Sequence, residues 1–380
     1  MSSPISGKVC FCNGNKAWGG GERWHLEAAL AMAEKGLDVA VMAGAGTPLL
    51  ERARRYPQLT CLPFRFSTLS SFNPFMLLFN AATLKYARVS HLVLGLTSDI
   101  KGAGLAGKMA GVKKIIYRRG SALSVRNDAL NKLYYRKILD GVIVNSRATE
   151  ILLLAECPDL IPQEKIHLLY NGLDAEAFDA MMERGETLSA VYEREKKTLI
   201  IGNAARLTEQ KGQKYLLHMS KALSEAGLAH KVVIAGDGPG AGALLKLSKQ
   251  LGVEEHVIFL GFREDLANFW KSIDIFVLPS LWEGFGYVLA EAMLAEKPLL
   301  GFYTSSMPEL VREGINGSLI ARPDPKEPDA EVGQRLAEAI TAMAADKKEI
   351  KAMGRRGRQI VLEEFNQKQC MERLYNLLTS

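Results

Sequence analysis

A chain of 380 residues is too long for one ordinary hydrophobic core, and its 48% hydrophobic and 24% charged content are typical of a globular protein with two domains. No apolar run reaches the roughly 18 residues that a membrane-spanning helix needs, and the N-terminus lacks the architecture of a signal peptide. From these features we expect a cytoplasmic protein. The net charge of +6 is uneven, because residues 1–178 carry 22 Lys and Arg against 14 Asp and Glu.

The first elements form a strand, a glycine-rich loop, a helix and a second strand. Lys8 to Asn13 is the first predicted strand, Gly19 to Gly21 precede a helix that starts near Glu22, and Gly36 is a predicted C-cap. The loop lacks G-x-G-x-x-G, and no acidic residue closes the second strand, so a dinucleotide site is disfavoured. Gly19 and Gly20 can still offer backbone amides to a ligand, or they form a plain turn.

Three more strand and helix units follow in the N-terminal half, with strands predicted within 91–98, 113–120 and 141–150. Residues 72–90 predict an aromatic-rich amphipathic helix whose apolar face packs in the core; contact with a membrane surface is the alternative. The basic clusters in this half suit an anionic membrane, nucleic acid or a phosphorylated acceptor, or they are simply solvated.

A second series of the same kind begins after a polar segment at 179–197, which we interpret as a linker or a helical lead-in. Its predicted strands lie at 198–205, 231–236, 257–261, 275–280 and 297–302, separated by helical patterns, as a doubly wound sheet requires. Two helical patterns at 349–364 and 367–378 end the chain. We therefore place an N-terminal domain at 1–178, a C-terminal domain at 179–365, and a final helix, about 366–380, that completes the N-terminal domain.

Two carboxylates flank the start of the helix predicted at 287–295. Glu283 lies in the loop before it and Glu291 on its second turn, and Gly284 and Gly286 let the backbone close on a ligand. A helix N-terminus favours an anion, so this pattern suits a nucleotide sugar. An isolated pair of this spacing is more often a loop carboxylate and a solvated helix residue.

Two cations follow the strand at 198–205. Arg206 and Lys211 would lie at the carboxyl edge of the sheet, where they could bind a diphosphate; taken alone, such a pair is more often a surface feature. Asp237 and Gly238 form a turn at the end of the next strand, on the edge where open α/β sheets bind ligands.

These motifs together resemble one family. GNAARLTEQKG, VVIAGDGPG, VIFLGF, SLWEGFGYVLAEAMLAEKP and PELVREGINGSLI, in this order between Gly202 and Leu319, strongly resemble the retaining nucleotide-sugar glycosyltransferases of the group-4 family (glycosyl transferases group 1). The resemblance implies an α/β protein of the GT-B fold, with two facing Rossmann-like doubly wound parallel-sheet domains and an interdomain cleft. It is weak in the N-terminal half.

The resemblance also implies roles for individual residues. Arg206 and Lys211 would bind the donor diphosphate, Glu291 the ribose hydroxyls, and Glu283 would face the transferred sugar. Further donor contacts are implied for the backbone of Gly284, Phe285, Gly286, Tyr287 and Val288, for the glycine loop at Gly19 and Gly20, and for Phe262 and Arg263 beside the nucleobase.

One position departs from the family. Where many relatives carry a His near the sugar, this chain has Arg118 and Arg119, which contact an acidic acceptor or the donor, or are loop cations. No D-x-D occurs, so we expect no metal ion at the diphosphate. Arg206 and Lys211 would then have to balance the negative charge of the diphosphate. Retention without a carboxylate nucleophile indicates front-face displacement, in which the departing phosphate takes the acceptor proton.

The expected function is therefore transfer of a hexose-type sugar from a nucleotide-diphosphate donor, of the UDP type, to a glycan, lipid-linked or phosphorylated acceptor. Biosynthesis of lipopolysaccharide or another envelope polymer, by a cytoplasmic enzyme peripheral to the inner face of the membrane, fits the basic N-terminal half. No cofactor beyond the donor is expected, and nucleic acid is not an expected partner, because no binding motif occurs and aromatics are 8%. A nucleotide-sugar epimerase of this fold and a catalytically silent nucleotide-sugar binding protein are the alternatives.

Overall fold

The computed structural model describes residues 5–64, 73–188 and 198–380, and these divide into two units. Unit 1 comprises the described residues up to Gly172 together with Lys368–Ser380, and unit 2 comprises those from Leu173 to Gln367. The division therefore falls six residues before the boundary expected at 178.

The described residues of unit 1 form a seven-stranded sheet in the order β3-β2-β1-β4-β5-β6-β7, in which neighbouring strands are parallel. The strands are β1 Lys8–Asn13, β2 Val39–Gly44, β3 Leu59–Phe64, β4 Val89–Leu94, β5 Lys114–Arg119, β6 Gly141–Val144 and β7 Ile166–Leu168. β1 is buried along almost its whole length because helices cover both faces of the sheet, which explains its continuous apolar sequence.

Helices connect these strands and begin on the carboxyl side of the sheet. They are α1 Gly20–Glu34, α2 Pro48–Ala53, α3 Pro74–Tyr86, α4 Thr97–Asp99, α5 Leu105–Ala110, α6 Ala129–Leu133 and α7 Arg147–Leu154. π-helical turns at Ile100–Gly104 and Tyr134–Ile138 extend α4 and α6.

The part of unit 2 that the structure describes carries a six-stranded parallel sheet in the order β10-β9-β8-β11-β12-β13. The strands are β8 Leu199–Ala204, β9 His230–Ala235, β10 Val257–Gly261, β11 Ile275–Leu278, β12 Leu299–Tyr303 and β13 Gly317–Ala321. The strand order reverses between β8 and β11, as it does between β1 and β4 in unit 1. Each reversal opens a crevice at the carboxyl edge of its sheet, where ligands bind in this class of fold.

The helices of unit 2 are α8 Ala175–Arg184, α9 Gln213–Glu225, α10 Ala241–Leu251, α11 Ala267–Ser272, α12 Tyr287–Leu294, α13 Met307–Leu310, α14 Asp329–Ala344 and α15 Lys347–Glu364. α16, Gln367–Thr379, follows and belongs to unit 1 from Lys368. Within unit 1, Lys114 donates to the Leu377 carbonyl at 2.6 Å, so a cation caps the last turn of α16.

The prediction of two doubly wound parallel sheets is confirmed, with local corrections. Of the segment at 179–197, the part up to Arg184 is helical because it continues α8, while 189–197 lies outside the described residues. The edge strands β3 and β13 were not predicted, since both are partly exposed and lack the apolar run of a central strand.

The expectation that the apolar face of α3 packs in the core is wrong for half of the helix. Ala81 and Leu84 are buried, but Phe75, Leu78 and Tyr86 are 81%, 55% and 93% exposed. The predicted start at residue 72 lies outside the described residues. Among the helices described here, none is both long and apolar enough to cross a bilayer.

Candidate active site

The predicted carboxylates do flank a helix start in unit 2. α12 begins at Tyr287, Gly286 is its N-cap with φ +83°, and Glu291 lies on the second turn. A side chain at 286 would place its Cβ 3.1 Å from Cγ of Glu283, so glycine lets the Glu283 side chain pack against the start of the helix. Phe285 is 2% exposed and packs edge-to-face against Phe365, which anchors the loop in the core of unit 2.

Lys211 and Glu283 come together although they are 72 positions apart in the sequence. The Lys211 ammonium forms an ion pair with Glu283 Oε2, with side chains 16% and 11% exposed. Gly212, at φ +65°, makes this approach possible, because a Cβ there would lie 2.1 Å from the Pro279 carbonyl oxygen. A largely desolvated pair of this kind attracts more strongly than one at the surface.

Arg206 lies on the carboxyl edge of the same sheet, two residues beyond β8. Its backbone carbonyl accepts a hydrogen bond from Gln213 Nε2 at 3.1 Å, while its side chain is exposed. Because its backbone is held by this hydrogen bond and its guanidinium is exposed, Arg206 can bind an anion at this edge of the sheet.

The turn after β9 packs directly against the loop that carries Arg206. A Cβ at Gly236 would lie 2.0 Å from the Ala205 carbonyl oxygen, and Leu207 N donates to the Asp237 carbonyl at 2.9 Å. Asp237 is exposed and its carboxylate accepts the Gly238 amide at 2.7 Å. Phe262, 69% exposed, and the exposed Arg263 follow β10 at the same edge.

The structure thus brings the C-terminal candidates to one edge of one sheet, after β8, β9, β10 and β11. Gly19 and Gly20 are at the start of α1 in unit 1, at the carboxyl end of β1, and α1 begins at Gly20 rather than near Glu22. No group of three or more His, Cys, Asp or Glu in the described ranges could hold a metal ion.

Arg118 and Arg119 are strand residues, so the alternative that they are loop cations is wrong. Both lie at the end of β5 and are 4% exposed, with side chains on opposite faces of the sheet. Arg118 donates to Asn171 Oδ1 at 2.8 Å and lies over the Trp24 ring, 4.9 Å from its centroid, whereas Arg119 donates to the Leu123 carbonyl.

A buried polar cluster in unit 1 was missed by the sequence analysis. Asp99 accepts hydrogen bonds from the backbone amides of Gly14 at 3.3 Å and Leu96 at 2.9 Å. Burial raises the pKa of its carboxyl to about 7. Glu22 accepts hydrogen bonds from the side-chain amides of Asn13 and Asn15 at 3.1 and 3.0 Å. The available signal was that Asn13 ends β1 and Asp99 follows β4, the two strands that flank a reversal of strand order.

His25 belongs to the same region. Its ring Nδ1 lies 2.9 Å from the Gly21 carbonyl, and burial lowers the pKa of the ring to about 3, so the ring is neutral at physiological pH. A neutral ring beside a carbonyl donates through Nδ1, which fixes the tautomer. Asp99, Glu22 and His25 together hold the glycine-rich loop and the first turn of α1 in place.

Two family models match the chain. Glycosyl transferases group 1 matches residues 185–360, and Glycosyltransferase Family 4 matches residues 18–177. The protein EpsF of Bacillus subtilis is 33% identical over 180 residues, which are 47% of this chain and 46% of that protein.

Two further similarities are informative. The UDP-Gal:alpha-D-GlcNAc-diphosphoundecaprenol alpha-1,3-galactosyltransferase of Escherichia coli is 27% identical over 57% of this chain and 58% of its own length. The matched segments thus span about half the length of these two relatives. The crystal structure of Anabaena Alr3699/HepE in complex with UDP and glucose superposes with a TM-score of 0.81 over 99% of this chain and 100% of that one, at 21% identity.

Proposed function

Because this chain belongs to the group 1 glycosyltransferases and has their GT-B fold, we propose that it transfers a hexose-type sugar from a nucleotide-diphosphate donor to a glycan or lipid-linked acceptor, with retention of anomeric configuration. The observation that carries the proposal is the desolvated pair of Lys211 and Glu283 beside the N-terminus of α12. In this pair, a cation that can stabilise the leaving phosphate lies next to a carboxylate that can bind the sugar.

The donor is proposed to bind along the carboxyl edge of the unit 2 sheet. Arg206 and Lys211 bind the diphosphate, and the positive end of the α12 dipole faces it. Glu291 accepts hydrogen bonds from the ribose hydroxyls. Phe262 and Arg263 lie beside the nucleobase. A donor of the UDP type is supported by the similar Anabaena protein, whose crystal structure contains UDP and glucose.

Front-face displacement is the mechanism that these groups support best. The bond between the anomeric carbon and the phosphate oxygen breaks while the acceptor oxygen attacks the same face. The acceptor proton passes to the departing phosphate oxygen, so no protein base is required. Lys211, Arg206 and the helix dipole stabilise the charge that grows on the diphosphate, which is where a preorganised cation lowers the barrier most.

The reaction is also proposed to need no metal ion, because of the same residues. Two cations and a helix N-terminus can balance the charge of a diphosphate without a divalent ion. Lys211 has a second role before the donor binds, since it balances the charge of the buried Glu283 carboxylate. Hydrogen bonds from the sugar hydroxyls to Glu283 would then strengthen the binding of the nucleotide sugar.

The acceptor is proposed to be a precursor of an envelope polysaccharide or lipopolysaccharide, bound by unit 1 at the inner face of the membrane. Phe75 and Leu78 on α3 are apolar and exposed, and the net charge of residues 1–178 is positive, so this half suits an anionic bilayer. The acceptor in the name of the similar E. coli enzyme is linked to diphosphoundecaprenol, which supports a lipid-linked acceptor.

The donor proposal is tested by calorimetry with UDP, GDP, ADP and CDP, with EDTA or Mg²⁺, on the wild type, Lys211→Ala and Lys214→Ala. Lys214 is the matched control, since it is a paired lysine three residues away whose ammonium lies 2.7 Å from Asp329. We expect selective, metal-independent binding of one diphosphate, weakened by Lys211→Ala and unchanged by Lys214→Ala. Binding of none by the wild type would refute the proposal.

Turnover and stereochemistry separate transfer from the alternatives. A proton NMR assay with the selected nucleotide sugar should show release of the diphosphate only with acceptor, and a product with the donor's anomeric configuration. Truncating Lys211 should lower turnover by about 100- to 1,000-fold if it acts as a preorganised charge partner. Conversion of the donor without an acceptor would indicate an epimerase instead.

Membrane association is tested by flotation with vesicles that contain phosphatidylglycerol. Phe75→Ser with Leu78→Ser should abolish flotation, whereas Ile151→Ser, which removes a 69% exposed apolar residue from α7, should not. Equal flotation of all three proteins would exclude α3 as the contact.

A further inference from the structure

The loop that leads to Glu283 is held by its backbone carbonyl groups. Three consecutive carbonyl oxygens each accept a hydrogen bond from a side chain that is distant in sequence. These bonds join Leu281 O to Thr304 Oγ1 at 3.1 Å, Trp282 O to Gln210 Nε2 at 2.9 Å, and Glu283 O to Ser306 Oγ at 3.0 Å. Loops usually leave such groups to water, so three side-chain donors in a row indicate a loop whose position matters.

The three donors come from the two segments that flank the loop. Thr304 and Ser306 follow β12, and Gln210 belongs to the turn after β8 that carries Lys211. The backbone of Gln210 takes part as well, because its carbonyl accepts the Leu281 amide at 2.8 Å. The loop is therefore fixed from both sides, across the point where the strand order of unit 2 reverses.

The turn that supplies the two hydroxyl groups is conformationally costly. Ser305 has φ +45°, a left-handed conformation that non-glycine residues adopt infrequently. It places the hydroxyls of Thr304 and Ser306 on the same loop, and these residues are 8% and 0% exposed. Backbone strain of this kind occurs preferentially at functional sites, where the surrounding contacts compensate for it.

We propose that Thr304, Ser306 and Gln210 are positioning residues that hold the Glu283 carboxylate in register with the transferred sugar. This inference rests on the proposed function, in which Glu283 faces that sugar. Lys211 fixes the side chain of Glu283, and the three hydrogen-bond donors fix the loop backbone from Leu281 to Glu283, so the carboxylate has little freedom left before the nucleotide sugar binds. Preorganisation of this kind matters for the reaction because a displacement of about 1 Å can cost about 100-fold in rate.

Removing the Thr304 or Ser306 hydroxyl should therefore impair the reaction of the sugar without changing the affinity for the nucleotide. The third donor, Gln210, is less selective because it is adjacent to Lys211, which is proposed to bind the diphosphate. Arg206 and Glu291, proposed to bind the diphosphate and the ribose, receive none of these three hydrogen bonds. Loosening the loop should lower kcat for a nucleotide sugar while the affinity for the free nucleoside diphosphate stays the same. A purely structural role would instead lower thermal stability and reduce both quantities together.

Thr304→Val tests this directly, because valine keeps the shape of threonine and removes its hydroxyl, and Ser306→Ala removes the second hydroxyl. Thr304→Ser is the conservative variant, since it retains the donor. The matched control is Thr341→Val, which removes a threonine hydroxyl that donates to the Ala337 carbonyl at 2.8 Å within α14. Each protein is assayed for kcat and KM with the nucleotide sugar, for diphosphate affinity by calorimetry, and for Tm.

We expect Thr304→Val and Ser306→Ala to lower kcat by about 10-fold or more, with diphosphate affinity within about twofold of the wild type. Thr304→Ser and Thr341→Val should retain wild-type kcat. Equal kcat in all variants, or a loss of diphosphate affinity in proportion to kcat, would refute the positioning role while the proposed function stands. If the wild type neither binds nor converts any nucleotide sugar, the function and the positioning role are both refuted.

Discussion

Replacing Asp99 by Asn should change how the stability of unit 1 depends on pH. Asp99 is buried beneath the loop that follows β1, and burial raises the pKa of its carboxyl from 3.8 to about 7. His25, on α1, responds in the opposite direction, since burial lowers the pKa of its ring from 6.5 to about 3. Both groups are neutral in the folded protein over much of the range in which they are charged in the unfolded chain.

The signs of the two contributions are opposite. The folded state binds the Asp99 proton more tightly than the unfolded state, so this group contributes stability below about pH 4 and loses it as the pH rises to about 7. His25 contributes stability above its unfolded pKa of 6.5 and loses it as the pH falls towards 3. Each contribution changes by roughly 1.4 kcal/mol per pH unit, so between about pH 4 and 6.5 they nearly cancel.

Asp99→Asn removes one of the opposing contributions. Relative to the wild type, the free energy of unfolding of the variant should increase by roughly 1.4 kcal/mol per pH unit between about pH 4 and 7. The accumulated difference is about 4 kcal/mol, from a pKa that shifts by about three units. His25→Asn should show the reverse, with stability relative to the wild type that increases as the pH falls.

Urea unfolding at steps between about pH 4.5 and 8 measures this difference. Trp270 and Trp282 are replaced by Phe in every protein, so that the fluorescence of Trp18 and Trp24 reports unit 1 alone. Parallel stability curves for the wild type and Asp99→Asn would refute the reasoning, because they would mean that Asp99 titrates alike in the folded and unfolded states.

Two further predictions, one for each unit, concern packing and helix capping. Gly236→Ala should destabilise unit 2 by about 3 kcal/mol or more in urea unfolding, since its Cβ would lie 2.0 Å from the Ala205 carbonyl oxygen. Gly227→Ala, at φ +71° with no atom within 4 Å of the added Cβ, should cost only about 1 kcal/mol, and equal losses would argue against the steric explanation. Lys114→Met should weaken the last turn of α16 by about 1 kcal/mol, seen as faster amide exchange near Leu377; unchanged exchange would show that the cap contributes little.

The central strands of both sheets could be predicted because they are buried on both faces and therefore have continuous apolar sequences. The edge strands β3 and β13 could not, since their sequences LTCLPF and GSLIA lack the continuous apolar run that made the edge strand β10, VIFLG, predictable. α3 shows the limit of a periodicity argument. An apolar helix face predicts burial, but α3 packs mainly against α5 and the turn at Ile100–Gly104, and Phe75 and Tyr86 remain exposed.

The candidate site was predictable where one short segment supplies it, as with Glu283 and Gly286 before α12. The contact between Lys211 and Glu283 requires the tertiary structure, since it depends on Gly212 approaching Pro279. Thr304 and Ser306 gave no signal, because hydroxyl residues after a strand are ordinary turn residues.

The membership of α16 in unit 1 affects the order in which the protein can be completed during synthesis. Domains usually fold as they leave the ribosome, the N-terminal one first. Here the last helix of unit 1 follows the whole of unit 2, and its Leu374 and Leu378 are buried in the folded chain. Unit 2 can therefore reach its final state while unit 1 still lacks a helix. A nascent chain that stalls before residue 368 would carry a finished unit 2 and an unfinished unit 1, which chaperones would recognise by its uncovered apolar surface.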